Sequence, residues 1–258
     1  MRQSKKGNNS SRNREVIYGV NPILETLKAG NRKIYNVLVK TGALGKALRQ
    51  LIDKLESKNI PIDFTSIDKI AKLANGEGHQ GIIAQVSPVS YFNFDELTKQ
   101  LARKSSPVIL VLDGIQDPRN LGAILRSAEA FGIDGVIISE RRSAKYTAVA
   151  AKSSAGAGER IRMCIVTNIA ESIKKLCGEG YCCIAFESEA EAVFTSAPSG
   201  PLLLVLGSEG GGIRELTRKR CGVTAKIPMK GKAQSLNVSA AASIIFFIVS
   251  QRHKKTSP

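Results

Sequence analysis

Three polar, glycine-rich segments have the residue types and spacing to do chemistry, and they span residues 113–122, 206–213 and 227–238. Each follows an apolar run and leads into a helix-like pattern, which predicts loops at the carboxyl ends of strands. Open α/β sheets bind their ligands at that edge. The segments contain Asn, Ser, Arg and Glu but no His and no Cys, so they do not favour metal or thiol chemistry. They predict a site that holds a small molecule largely by its backbone.

The first segment predicts the start of a helix that carries charged and amide side chains. Asp117 is a favourable N-cap, and Pro118 suits the first turn. Arg119 and Arg126 are seven residues apart and lie along nearly the same line of that helix, with Asn120 beside its start. A planar guanidinium there could grip a phosphate or a ribose hydroxyl. The structural alternatives are a solvated helix arginine for Arg126 and a helix-stabilising role for Asn120.

The second segment contains a glycine-rich loop at 207–212 in which Glu209 is the charged member. Its glycines permit positive φ and bring backbone N–H groups against a ligand. The spacing is neither Gly-x-Gly-x-x-Gly nor that of a phosphate loop, which disfavours a Rossmann-type oxidoreductase. In the third segment, Ser235 or Asn237 can cap the helix that follows, so capping is the structural alternative for both.

Taken in order, these segments resemble the signature motifs of the SpoU, or TrmH-type, RNA ribose 2′-O-methyltransferases of the SPOUT superfamily. The resemblance extends over roughly residues 107–251. It implies S-adenosylmethionine as methyl donor and RNA as substrate. The positions that it implies for catalysis are Asn120, Arg126, Glu209, Ser235 and Asn237. The positions that it implies for donor binding are Gly207, Ile227, Met229 and Leu236.

The resemblance implies that Arg126 contacts the target nucleotide near its 2′-hydroxyl. Arginine stays protonated in proteins, so we expect it to orient the hydroxyl and to draw off charge as the proton leaves. Two roles stay open for Glu209. It either positions its loop and Arg126, or it takes part directly in acid–base chemistry. Methyl transfer from a sulfonium needs alignment rather than a covalent nucleophile or a metal.

Strand-like and helix-like patterns alternate from residue 108 onward. The apolar runs span 108–112, 135–138, 161–166, 182–186, 202–206 and 223–227. This alternation predicts an α/β domain with a mostly parallel sheet covered on both faces. The resemblance implies two further features, a deep trefoil knot and a homodimer with active sites at its interface. Hydrophobic pattern alone could not predict a knot, because knots are nearly absent elsewhere.

Residues 15–88 predict a smaller α/β unit with a glycine-rich turn at 75–78. Together with the segment 79–84, which begins at His79, this unit resembles the L30e-type RNA-binding domain that precedes the catalytic domain in rRNA-modifying members. His79 is then an RNA-contact residue or a turn residue. We predict a linker at 89–105 and a catalytic domain at 106–258.

The charge of the chain favours nucleic acid as partner. It has 38 Lys and Arg against 22 Asp and Glu, a formal charge of +16, and such a field attracts polyanions. Residues 1–14 are basic, acid-free and almost without apolar side chains, which predicts a disordered, phosphate-binding tail. An organellar transit peptide is the alternative for this stretch, but it lacks an amphipathic apolar face.

The cysteine pattern and the apolar carboxyl-terminal stretch bear on location. The five cysteines have no Cys-x-x-Cys spacing and predict small buried side chains of a reduced, cytoplasmic protein. The charge-free stretch 233–251 is interrupted by polar residues, which favours a buried core helix over a membrane span. We expect no membrane association and no metal.

The predicted function is S-adenosylmethionine-dependent methylation of a ribose 2′-hydroxyl of 23S rRNA, at a guanosine. A tRNA 2′-O-methyltransferase of the same fold is the first alternative, although members acting on tRNA usually lack this kind of preceding domain. A non-catalytic RNA-binding or ribosome-assembly protein is the second. The five residues implied for catalysis are all present, which argues against a protein that has lost its active site.

Overall fold

The first of two units, Met1–Ser90, is built on a mixed sheet of four strands in the order β1-β4-β2-β3. The structure is a computed structural model that describes residues 14–76 and 78–252, so the predicted tail, apart from Arg14, lies outside the described residues. The strands are β1 (Glu15–Tyr18), β2 (Ile34–Lys40), β3 (Ile62–Thr65) and β4 (Ile82–Val86). The helices are α1 (Val20–Ala29), α2 (Lys46–Glu56) and α3 (Ile67–Leu73).

Helical periodicity accounts for the longest helix of this unit. In α2 the buried positions are Leu48, Leu51, Ile52 and Leu55, which recur every three or four residues on one side. Strand β2 pairs in parallel with β3 and antiparallel with β4. The first unit is therefore a small α/β body with its own core.

The second unit, Tyr91–Pro258, begins inside the segment expected to be a linker. That segment contains α4 (Phe94–Leu101), which starts with a capping box between Asn93 and Glu96. Its Leu97 and Leu101 are fully buried in the core of the second unit. Because this apolar face packs onto the sheet, residues 91–105 belong structurally to the second unit.

The second unit contains the mostly parallel α/β sheet predicted from the sequence; all five of its pairings are parallel, in the order β10-β8-β9-β5-β6-β7. Its strands are β5 (Val108–Asp113), β6 (Gly135–Ser139), β7 (Met163–Val166), β8 (Cys182–Phe186), β9 (Leu202–Gly207) and β10 (Val223–Ala225). All six residues of β5 are buried, as expected where helices cover both faces of a sheet.

The remaining helices connect and cover these strands. They are α5 (Pro118–Ala130), α6 (Ala148–Ser153), α7 (Ile169–Gly178), α8 (Glu215–Arg220) and α9 (Val238–Ser250), with a 3₁₀ turn at Ala157–Glu159. A Cβ built on Gly122 of α5 would lie 2.5 Å from the carbonyl oxygen of Ala150 in α6, so α5 and α6 are in contact through their backbones. Within the described part of the chain, no helix combines the length and apolar character needed to cross a bilayer.

Candidate active site

The loops after β8, β9 and β10 surround a cavity of about 750 Å³ at the carboxyl edge of the parallel sheet. Its walls include residues 186–189, 206–212, 225–227 and 234–238. The second and third sequence segments thus line one cavity. This is the edge where the sequence pattern predicted a ligand.

All four residues expected to bind the methyl donor line this cavity, namely Gly207, Ile227, Met229 and Leu236. Met229 and Leu236 are 39% and 37% exposed. A ligand placed against them would remove apolar surface from water, which favours binding.

The glycine-rich loop after β9 is held closed by its own backbone. Ser208 and Gly212 exchange two backbone hydrogen bonds, each 3.0 Å long. A Cβ built on Gly207 would lie 2.1 Å from the carbonyl carbon of Gly212. No side chain fits at Gly207, so the backbones of the two ends of the loop can approach each other.

Three polar side chains, one from each sequence segment, meet at a single point. Asn120 Nδ2 donates to Glu209 Oε1 at 2.9 Å, and Asn237 Nδ2 donates to the same oxygen at 2.7 Å. The Asn237 amide also lies 3.2 Å from Asn120 Oδ1. Asn237 Oδ1 accepts the Ser239 N–H at 2.9 Å, so Asn237 caps α9 while its amide holds the glutamate. Capping and a place in the site are therefore combined in Asn237.

A buried carboxylate fixes the far end of the glycine-rich loop. Asp113, the last residue of β5, pairs in register with Gly207. Its Oδ2 accepts the Arg214 N–H at 3.0 Å, and its Oδ1 lies 3.3 Å from Arg214 Nη1. Asp113 Oδ1 has no hydrogen-bond partner in the described part of the chain, so the attraction to the guanidinium there is Coulombic. The loop that carries Glu209 is thus anchored at both ends.

The remaining two catalytic candidates lie in different places. Ser235 is exposed and lines the cavity. Arg126 lies on the exposed side of α5, and neither Arg126 nor Asn120 is among the described residues that line the cavity. The structure therefore brings four of the candidates to one end of the sheet, namely Asn120, Glu209, Asn237 and Ser235. No hydrogen bond in the described part of the chain joins Arg126 to them.

Four charged residues of the cavity, besides Glu209, were not identified from the sequence. Glu187 and Glu189 follow β8 directly and line the cavity, as do Arg218 and Lys226. Glu187, Glu189 and Lys226 had one sequence signal, their position just after the carboxyl end of a strand, which they share with the segments that were singled out. Arg218 lies within α8 and had no such signal. The cavity consequently presents groups of both signs to a ligand.

Two of the cysteines, Cys164 and Cys183, have environments that suppress thiolate chemistry. Burial raises the pKa of Cys164 to about 11. A hydrogen bond with Cys221, together with burial, raises the pKa of Cys183. Both remain thiols at neutral pH. Across residues 14–76 and 78–252, no three His, Cys, Asp or Glu side chains come together in a group that could hold a metal ion.

Known proteins match both units. Residues 107–247 match the SpoU rRNA Methylase family, and residues 16–92 match a family described as RNA 2′-O ribose methyltransferase substrate binding. The 23S rRNA (guanosine-2′-O-)-methyltransferase RlmB of Haemophilus influenzae is 39% identical over 241 residues, which cover 92% of this chain and 98% of the relative.

Solved structures resemble the chain over nearly its whole length. An RNA 2′-O ribose methyltransferase has a TM-score of 0.79 at 26% identity, covering 95% of this chain and 90% of that one. The SpoU methyltransferase AviRb from Streptomyces viridochromogenes, solved in complex with AdoMet, has a TM-score of 0.78 at 22% identity and covers 97% and 96%. On these matches and the geometry above, the chain belongs to the SpoU rRNA methylase family.

Proposed function

We propose that this protein transfers the methyl group of S-adenosylmethionine to the ribose 2′-hydroxyl of a guanosine in 23S rRNA. The observation that carries the proposal is the contact of Asn120, Glu209 and Asn237, which joins all three sequence segments at the cavity. Family membership and the RlmB relative, aligned over 92% of this chain, support the reaction and the substrate.

The cavity fits this donor in size and in chemistry. Its volume lies within the range of ligand pockets, roughly 300–1,000 Å³. The glycine-rich backbone and apolar Ile227 and Leu236 suit an adenosine, while Glu187 and Glu189 suit a positively charged ligand. When bound, the donor supplies an activated methyl group.

The side chains then have to align the acceptor and stabilise charge. A ribose hydroxyl is a poor nucleophile until its proton is leaving, so hydrogen-bonding groups around it are needed. We assign Arg126 and Ser235 to the hydroxyl and its developing charge. Because Glu209 accepts hydrogen bonds from two amides, we assign it to positioning Asn120 and Asn237 rather than to removing the proton.

We propose a homodimer as the working form. Ile244 and Phe247 of α9 are 38% and 53% exposed, and Phe247 stacks edge-on against Phe131 with ring centroids 6.1 Å apart. A second copy would cover this apolar surface. We propose that Arg126, on the exposed side of α5, acts at an active site formed across this interface.

Three finer features complete the proposal. The second unit has a trefoil knot, which family membership supports. The first unit is an L30e-type RNA-binding domain, supported by its mixed α/β sheet and by the substrate-binding family match. We also propose a cytoplasmic location, which an rRNA substrate supports.

The alternatives have less support. A tRNA methyltransferase of this fold does not account for the first unit, whereas the RlmB relative aligns over 98% of its own length. A non-catalytic RNA-binding protein does not account for the retained contact among the three motif side chains.

Tritiated S-adenosylmethionine incubated with 23S rRNA tests the proposal. We expect the wild-type protein to label the RNA and Arg126→Ala to lower the rate by roughly 100-fold or more, as when a charge-stabilising donor is removed from an active site. Arg103→Ala is the matched control, since Arg103 is an exposed arginine just after α4. The donor affinity of Arg126→Ala should stay unchanged. No transfer to rRNA by the wild-type protein would overturn the proposal.

A further inference from the structure

A turn at residues 79–81 in the first unit has a fixed geometry that the proposed chemistry does not use. Gln80 and Gly81 adopt positive φ values of 55° and 77°. The Gln80 side chain accepts the Val20 N–H at 3.1 Å, and the Gly81 N–H donates to His79 Nδ1 at 3.0 Å. These bonds hold both the backbone of the turn and the imidazole ring in place.

The hydrogen bond to Nδ1 determines what the ring can offer outward. Because Nδ1 accepts an N–H, the neutral imidazole of His79 carries its proton on Nε2. Nε2 is therefore a hydrogen-bond donor without requiring a charge on the ring. The ring is half-buried, and its Nε2 has no partner among the described residues.

Lys40 lies against the same turn. Its N–H donates to the Gly81 carbonyl at 2.8 Å. A Cβ built on Gly81 would lie 2.7 Å from both Cγ and Cδ of Lys40, so the lysine stem takes the space that a side chain at position 81 would need. Packing of the stem restricts the lysine while leaving its ammonium to interact elsewhere. In the described part of the chain, no carboxylate forms an ion pair with Lys40.

We propose that Lys40 and Nε2 of His79 together bind a phosphodiester of the RNA substrate, an inference that rests on the proposed function. A phosphate oxygen accepts hydrogen bonds and attracts positive charge. The Lys40 stem, at the end of β2, and the His79 ring both lie against Gly81, so the two groups are neighbours. The net charge of +16 and the substrate-binding family match favour RNA over an acidic protein as the source of that anion.

Two substitutions remove the binding groups while keeping the turn. Lys40→Met retains an unbranched stem over Gly81 and removes the charge. His79→Asn keeps an acceptor for the N–H two residues on, as in an Asx-turn, but removes the outward Nε2 donor. Lys58→Met is the control, because Lys58 is an exposed lysine in the turn between α2 and β3.

Binding of the full-length variants to 23S rRNA at several salt concentrations tests the inference. For Lys40→Met we expect affinity about five- to tenfold weaker and a slope of log affinity against log salt shallower by about one. For His79→Asn we expect roughly a fivefold loss. Lys58→Met should bind like the wild type, and donor affinity should be unchanged in all three.

The outcomes separate this site from the proposed function. Wild-type affinity in both turn variants, or an equal loss in Lys58→Met, would overturn the phosphodiester site even if the wild-type protein methylates rRNA. A wild-type protein that transfers no methyl group to rRNA would instead overturn the function on which this inference rests.

Discussion

Replacing Asp113 by Asn should loosen the loop that carries Glu209. The carboxylate is fully buried, accepts the Arg214 N–H at 3.0 Å and lies 3.3 Å from the Arg214 guanidinium. Asparagine has the same size and can still accept one hydrogen bond. It removes the negative charge, however, and places an amide group where a carboxylate oxygen faced the arginine.

The expected cost follows from the exposure of the two partners. Removing one member of a fully buried ion pair costs about 3–5 kcal/mol, and a hydrogen bond to a charged group contributes about 1.5–3 kcal/mol. The Arg214 side chain is 47% exposed, so water can solvate its charge and the loss is reduced. We therefore expect the free energy of unfolding to fall by about 2 kcal/mol. In a unit of this size, that lowers Tm by about 4–8 °C.

Thermal unfolding and methyl transfer measure the two consequences. Because the loop positions Glu209, we expect the rate of transfer to fall by about tenfold as alignment is lost. Asp95→Asn is the control, since Asp95 is exposed in the first turn of α4 and its loss should cost about 0.5 kcal/mol. Asp113→Asn with wild-type Tm and wild-type rate would refute the anchoring role of this carboxylate.

Three other changes have defined outcomes. Gly207→Ala should weaken donor binding about tenfold or more, because the new Cβ would meet the Gly212 backbone. The control Gly231→Ala has open space around it and should leave donor binding unchanged, so an equal loss of donor affinity in both variants would contradict this reasoning. If the proposed homodimer forms through this face, Phe247→Arg should give a monomer on size-exclusion chromatography with loss of transfer, and a variant that stays dimeric would exclude this face as the interface. Iodoacetamide at pH 8 should leave Cys164 unmodified in the folded protein, since a thiol with a pKa of about 11 is protonated there; rapid alkylation would argue against its burial.

The strands of the second unit were the most predictable elements. The run at 182–186 became β8 without change, and the run at 202–206 gained a single residue in β9. Strands buried on both faces form continuous apolar runs, so sequence marks them directly. The sequence pattern at Phe94–Leu101 predicted a helix, but it did not predict that this helix packs on the sheet of the second unit. A short amphipathic pattern shows that one face is apolar and does not show which core that face joins.

The site was predictable in its loops but not in its contacts. Loop positions follow from strand ends, and the four donor-binding candidates do line one cavity. The hydrogen bonds of Glu209 with Asn120 and Asn237 join residues 89 and 28 positions apart in the chain, and no local periodicity carries that information. The sequence did not predict the hydrogen bond between Asp113 and Arg214 for the same reason, since these residues are 101 positions apart.

The most direct test of the central claim is to locate the methyl group that the protein transfers. Purified protein, S-adenosylmethionine and unmodified 23S rRNA are incubated, and the product is mapped by mass spectrometry of nuclease fragments. We predict a methyl group on the ribose 2′-oxygen of a single guanosine. A methyl group on a base, or no methylation of the RNA, would contradict the account.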